Sequence, residues 1–299
     1  MSEENNKSVI GSFYTLSACL DKVPDMKFED WKAINDNQLK YLEIYKNCQG
    51  AVIPEIESKV SVGDVEPINE FLRKKGFDIQ LDPIAPRDLA IASVFELFLE
   101  WLKEGKADDV KYNDVMYKAV RLSAGVRVGC CGTGFLGYGL DKLFNDGIAV
   151  IQTKNGDTIY MTVPAVAPKD SFEVFDMAKK LVSAYLEPSE KYENEVTFPE
   201  VDLNTYPDIS WIVGLGDRLG EKWQIGQALQ QTKVKIDKKG VVVKEAVAMG
   251  VMCMCCSFDV KRPLMIDKPF LFVVVRKGLK EPLFSAYLNT DGWIKEKVS

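Results

Sequence analysis

Apolar residues in the first third of the chain recur at helical spacing. Over residues 11–22, Phe13, Leu16, Cys19 and Leu20 share one side of an amphipathic helix. Residues 36–47 repeat the pattern, with Leu39, Leu42, Ile44 and Tyr45 on one broad face. Asp64 stands before a first turn that contains Pro67, a good helix start, and Gly76 is the natural stop. The strongest helical pattern covers residues 87–104, where Leu89, Ala92, Val94, Phe95, Phe98, Leu99 and Leu102 are apolar and Gly105 follows. Residues 171–186 predict one more helix, through Phe172, Phe175, Met177, Ala178, Leu181, Val182 and Tyr185. All of these read as helices packed on a core.

Elsewhere the period shortens to two. Val126-Arg127-Val128 reads as a strand. Residues 148–153 and 158–163 flank Asn155-Gly156-Asp157, and Asn-Gly is the strongest short hairpin signal. Residues 232–237 alternate as a half-buried strand. Phe270-Leu271-Phe272-Val273-Val274-Val275 is continuously apolar, the pattern of a strand buried on both faces, and residues 281–288 suit its neighbour. Between these last groups lies the segment that sets the chain apart. After Lys238, Lys239 and Gly240, residues 241–254 are small and apolar, with Lys244 and Glu245 the only charges.

Composition narrows the possibilities. The 299 residues are 46% hydrophobic and 27% charged, with net charge −6, as expected of a globular chain. The acidic balance argues against a nucleic-acid partner. No apolar run approaches the roughly 18 residues of a membrane span. The polar, acidic start, Met1 to Asn6, is unlike a signal peptide. Seven cysteines, an odd and clustered set, point to free thiols in a reducing compartment. A cytoplasmic location is therefore expected, with an extracellular one left open. No linker divides the chain, so a single domain over residues 1–299 is expected. Histidine is absent, which excludes Ser-His-Asp and Cys-His catalysis and His-based zinc sites.

Two stretches carry competing chemistry. Gly132, Thr133, Gly134, Phe135, Leu136 and Gly137 match GxGxxG between two candidate strands. On that reading glycines approach a pyrophosphate, and the chain is an NAD(P)-binding oxidoreductase. Against it, the intervening helix is shorter than a crossover needs, and Asp157 sits in a turn. Cys253-Met254-Cys255-Cys256, with Cys130 and Cys131 elsewhere, permits a thiol-based redox or metal-binding module. The plainer reading treats these cysteines as small apolar residues.

The ordered set from residue 232 onward resembles a serpin: a strand, Asp237-Lys238-Lys239-Gly240, a small-residue run, then Asp267-Lys268-Pro269-Phe270-Leu271-Phe272 and Pro282-Leu283-Phe284. The resemblance covers about residues 147–290, including the Asn-Gly hairpin and a strand over residues 195–201 with Pro199 in its middle, and places a helix over residues 211–220. It implies an α+β fold, a helical N-terminal half packed on antiparallel β-sheets with an exposed reactive-centre-like loop near the C terminus. It implies pseudo-substrate binding of a serine or cysteine protease, inhibitory or not, by a monomer with no catalytic residue, cofactor or metal. Gly240, Val241, Val243 and Glu245 would form the loop hinge. Counting forward sets the reactive bond at Met254 and Cys255, which suits a protease with an apolar specificity pocket. Residues alternating from the hinge must face a core on insertion, and Glu245 falls on that face.

Overall fold

The structure, a computed structural model, describes residues 7–131, 143–184, 186–217, 223–241 and 262–296. A short strand, β1 (Val9–Ile10), leads into α1 (Tyr14–Leu20). After β2 (Trp31–Lys32), Asn35 opens α2 (Asp36–Cys48), its side chain accepting from the Gln38 amide at 2.9 Å. The helix buries Tyr41, Leu42, Ile44, Tyr45 and Cys48, whereas Leu39, expected on that face, is exposed. β3 (Ile56–Val62) precedes α3 (Glu66–Lys74), which carries Pro67 in its first turn and ends at Gly76, whose φ is +82°. These three helices lie where their periodicity predicts.

The helix expected over residues 87–104 does not form. That stretch is extended, as β4 (Leu89–Phe95) and β5 (Leu99–Glu100). β4 pairs antiparallel with β3 along its whole length, from Ile56 opposite Phe95 to Val62 opposite Leu89. Its burial alternates strictly: Ala90, Ala92 and Val94 pack under Ile68, Phe71 and Leu72 of α3, while the residues between them face the other way. Two apolar faces satisfied the helical template in sequence. A partner strand and a covering helix decide for the strand.

The remaining elements follow the period of two. β6 (Lys106–Tyr112) and β7 (Val115–Leu122) form a hairpin turned through Asn113 and Asp114, both at positive φ (47° and 62°). β8 (Val126–Cys131), β9 (Phe144–Gln152) and β10 (Thr158–Pro164) form an antiparallel ribbon, with Gly156 at φ +84° in the predicted turn. α4 (Ser171–Ser183) starts at Asp170, whose carboxylate accepts from the Glu173 amide at 2.9 Å. β11 (Leu186–Pro188), β12 (Tyr192–Pro199) and β13 (Val201–Thr205) come next.

Where a helix was expected over residues 211–220, the described part holds one 3-10 turn, Ser210–Ile212, and then β14 (Gly216–Asp217). Side chains capture the carbonyls that a helix would use. Asn35 and Gln38 both donate to Trp211 O at 3.0 Å, and Gln38 also donates to Val213 O at 3.0 Å. The chain closes with β15 (Thr232–Asp237), β16 (Gly240–Val241), β17 (Arg262–Met265), β18 (Phe270–Val275) and β19 (Phe284–Leu288).

The largest sheet has the order β1-β19-β18-β10-β9-β8-β11, antiparallel throughout. β18 is buried on both faces, as its sequence predicts: Leu271 and Val273 lie under α4, while Phe270, Phe272 and Val274 join the main core. A second sheet, β17-β12-β7-β6, and a third, β13-β15-β16-β5, accompany the pairs β14-β2 and β3-β4. With four helices among the described residues, the fold is α+β. No described helix is long and apolar enough to cross a membrane.

Candidate functional site

Two of the sheets share one strand path and part along it. β4 and β5 follow each other through residues 89–100, so β3-β4 and β13-β15-β16-β5 meet there. At one end they are joined by β16. Gly240 and Val241 stand opposite Asp237 and Ile236 of β15 on one side, and opposite Glu100 and Leu99 of β5 on the other. β16 is antiparallel to both, so β15 and β5 run parallel to each other. Farther along, β4 and β15 share no pairing among the described residues, and a cavity of about 570 Å³ lies between them. Two facing strand edges without a partner form a template for one more antiparallel strand.

The closed end is tightly built. Trp101, 1% exposed, stacks edge-on against Phe198 and donates its indole N–H to Asp237 O at 2.9 Å. The turn after β15 is tied by Lys239 N to Asp237 Oδ1 at 2.8 Å and by Gly105 N to Lys238 O at 2.7 Å. A side chain at position 240 would overlap the Leu99 carbonyl, so only glycine lets β16 approach β5 this closely. Around this end, Lys154 pairs with Glu100 at 2.8 Å, and burial, followed by the charge of Asp237, pushes the Glu200 carboxyl upward.

Of the hinge residues expected from sequence, Gly240 and Val241 hold this bridging position. Val243, Glu245 and the expected bond at Met254 and Cys255 lie outside the described residues, as does the exposed loop that would carry them. Sequence reasoning passed over Trp101 and placed Leu99 in a helix, although the two build the closed end that β16 meets. A lone Trp closing an alternating apolar run was the available signal.

The dinucleotide reading is corrected here. Residues 132–137 lie outside the described residues, but the strands flanking them, β8 and β9, are antiparallel neighbours, with Val126 opposite Ile151 and Gly129 opposite Ile148. A phosphate-binding βαβ unit requires parallel strands. Asp157, in the turn after those strands, is 2% exposed and held by Arg276 through contacts of 2.8 and 2.7 Å. Cys253, Cys255 and Cys256 are outside the described residues. Cys130 is a free thiol on β8, and no described group of three or more acidic or thiol side chains could hold a metal.

No family model matches the sequence, and no curated protein matches it. Solved structures do. The chain resembles Serpin48, described as a highly specific serpin of the insect Tenebrio molitor, at TM-score 0.54 and 13% identity, over 94% of this chain and 90% of that one. It resembles mouse protein-Z dependent protease inhibitor at TM-score 0.56 and 13% identity, over 95% and 92%. A serpin from Schistosoma mansoni matches at TM-score 0.55 and 12% identity, over 95% of both chains. These similarities span nearly the whole of each molecule, including the N-terminal half that no motif identified, and the chain has the serpin fold.

Proposed function

We propose that the chain acts as a pseudo-substrate for a serine or cysteine protease with an apolar, non-basic specificity pocket, cut at or near Met254–Cys255. After cleavage, the residues following Gly240 enter the gap between β15 and β4 as an added strand. One observation carries this reading: Gly240 and Val241 already lie as a strand between β15 and β5, antiparallel to both, at the head of an unfilled gap. The protein is then not an enzyme, and no residue in it is catalytic. It works as a monomer, and its odd, clustered cysteines suit a reducing, cytoplasmic setting.

Continuing the register of β16 gives each incoming residue a neighbour. Val241 is opposite Ile236 and Leu99, so Val243 would meet Val234 and Leu97, and Glu245 would meet Thr232 and Phe95. Val234 is buried, and Phe95 and Thr232 line the cavity. Glu245 would thus be carried over a largely apolar space, whose nearest cations, Lys75 and Lys233, are engaged with Glu57, Glu96 and Gly76 O. Slow insertion follows, favouring a cleaved substrate over a trapped protease.

The test is incubation with a panel of proteases of apolar specificity, followed by denaturing gel electrophoresis and sequencing of the fragments. Cleavage within residues 242–261 ahead of any other site is the expected result, with or without a covalent complex. First cleavage elsewhere, with residues 242–261 left intact, would overturn the reading.

A further inference from the structure

The turn between β9 and β10 carries the chain's one Asn-Gly pair, Asn155-Gly156. Gly156 N donates to Thr153 O at 3.1 Å, and with Gly156 at φ +84° the residues Lys154, Asn155 and Gly156 form a three-residue hairpin loop. Both members of the pair are exposed, and a Cβ at position 156 would meet nothing within 4 Å. The base of the loop is fixed. Thr153 N donates to Asp157 O at 3.1 Å, and Asp157 is clamped by Arg276.

This turn also grips β5. Glu100 N donates to Asn155 Oδ1 at 3.2 Å, Lys154 N donates to Glu100 O at 2.9 Å, and Lys154 Nζ pairs with Glu100 Oε2 at 2.8 Å. Trp101, next in the chain, bridges to Thr153. Glu100 is the residue that stands opposite Gly240 of β16. The turn therefore holds the strand that β16 meets at the closed end.

The same contacts prepare Asn155 for attack by its own backbone. The nitrogen of the following residue reaches an asparagine Cγ by closing a five-membered ring, and glycine there removes the side chain that would crowd the approach. Negative charge develops on Oδ1 as that nitrogen adds, and the Glu100 N–H already donates to this oxygen. The one opposing contact is the bond from Gly156 N to Thr153 O, which must open first.

From these features we infer that Asn155 is a self-modifying site, which deamidates through a succinimide to a product that loosens β5 and β16. Gly156 N bonds to Cγ and gives up its proton, the Cγ–Nδ2 bond breaks, and ammonia leaves with that proton. Water then opens the ring at one of two bonds. Breaking the bond from nitrogen to Cγ leaves aspartate on the native backbone. Breaking the bond from nitrogen to the α-carbonyl leaves isoaspartate, whose main chain runs through Cγ and no longer offers Oδ1 to Glu100 N in the same place. Both products also set a new carboxylate beside Glu100, where the two repel and compete for Lys154. Water is the only reactant and ammonia the only leaving group. The inference rests on the turn and β5, and holds whether or not a protease cuts the chain.

The test ages the intact chain at pH 6 and pH 8 and follows each asparagine by peptide mapping with mass spectrometry. Asn155 should convert from amide to acid, faster at the higher pH, and ahead of Asn113, which is also exposed in a turn but is followed by Asp114. Ion exchange separates the converted chains by their added negative charge. In them the Glu100 amide should exchange with solvent about five- to tenfold faster, the value of one hydrogen bond, and the Val241 amide should quicken with it. Asn155→Gln, which would have to close a larger ring, should neither convert nor quicken on ageing. Asn155 left intact after ageing at pH 8 would overturn the inference, as would conversion that leaves exchange at Glu100 and Val241 unchanged.

Discussion

Arg276 shows how a buried charge is kept in this molecule. It reaches from the end of β18 to clamp Asp157 through both nitrogens, and a third nitrogen bonds Glu55 at 2.7 Å. Asp157 is almost wholly buried, so removing its partner leaves a carboxylate with neither water nor a cation. Arg276→Gln should cost about 3–5 kcal/mol by chemical denaturation, the usual penalty for breaking a buried pair from one side. Acid behaviour adds a second reading. The Arg276 hydrogen bond lowers the Glu55 carboxyl below its ordinary value. Its contribution to stability is therefore present above about pH 4.3, the unfolded value, and is lost as pH falls through the lower folded value. In Arg276→Gln this acid limb should flatten. A variant with unchanged stability and an unchanged acid limb would contradict the clamp. The thiols give a further check. Burial first, and then the nearby Glu281 charge, push Cys48 up to about 12, whereas Cys130 is partly exposed on β8. Alkylation at pH 8 followed by peptide mapping should find Cys130 modified well before Cys48. The reverse order would mean that α2 opens readily.

Elements show what a single sequence can and cannot reveal. Helices α1 to α4 were legible because each has one apolar face and one polar face, with caps such as Asn35 and Asp170. β18 was legible because six consecutive apolar residues are too short for a helix and too apolar for an edge. β4 was not legible, since Ala90, Ala92 and Val94 face α3 while Phe95 faces the main core. A strand covered on both sides matches a helical template as well as its own. The β6–β7 hairpin was missed although Asn113-Asp114 marks its turn, because both residues adopt the positive φ more often supplied by glycine. At the site, Gly240 was legible as a hinge, but its reason was not. The constraint is the Leu99 carbonyl, on a strand about 140 residues earlier, taking 99 from 240. Gly240→Ala should therefore detach β16 from β5. Amide exchange at the backbone of Leu99 to Trp101 should quicken in that variant while β18 stays protected. Unchanged protection at Leu99 would show that β16 tolerates a side chain there.

On the scale of the whole molecule, the two sides of the gap belong to different packing units. β3 and β4 pack mainly under α3 in a small cluster and reach the main core through Ile56 and Phe95, whereas β13 and β15 contribute Leu203, Val234 and Ile236 to the main core. The closed end joins the units through Trp101 and β16, and beyond it they are separated by an apolar cavity. A strand entering from the closed end would convert both free edges into paired ones, which is the source of the gain on insertion. Against that gain stands Glu245, whose register neighbours would be Thr232 and Phe95. Burying a carboxylate without a partner costs several kcal/mol or forces its protonation. Valines at positions 241 and 243, bulkier than small hinge residues, add about 1–3 kcal/mol if they overpack. If the chain acts by the insertion proposed above, each cost would slow strand entry and give the protease time to complete hydrolysis. The expected outcome for the natural sequence is a cleaved chain and free, active protease, with little covalent complex. Glu245→Ala should raise the complexed fraction and the Tm of the cleaved form together. Mostly covalent complex from the natural sequence, unchanged by the substitution, would mean that Glu245 does not face the cavity when the strand enters.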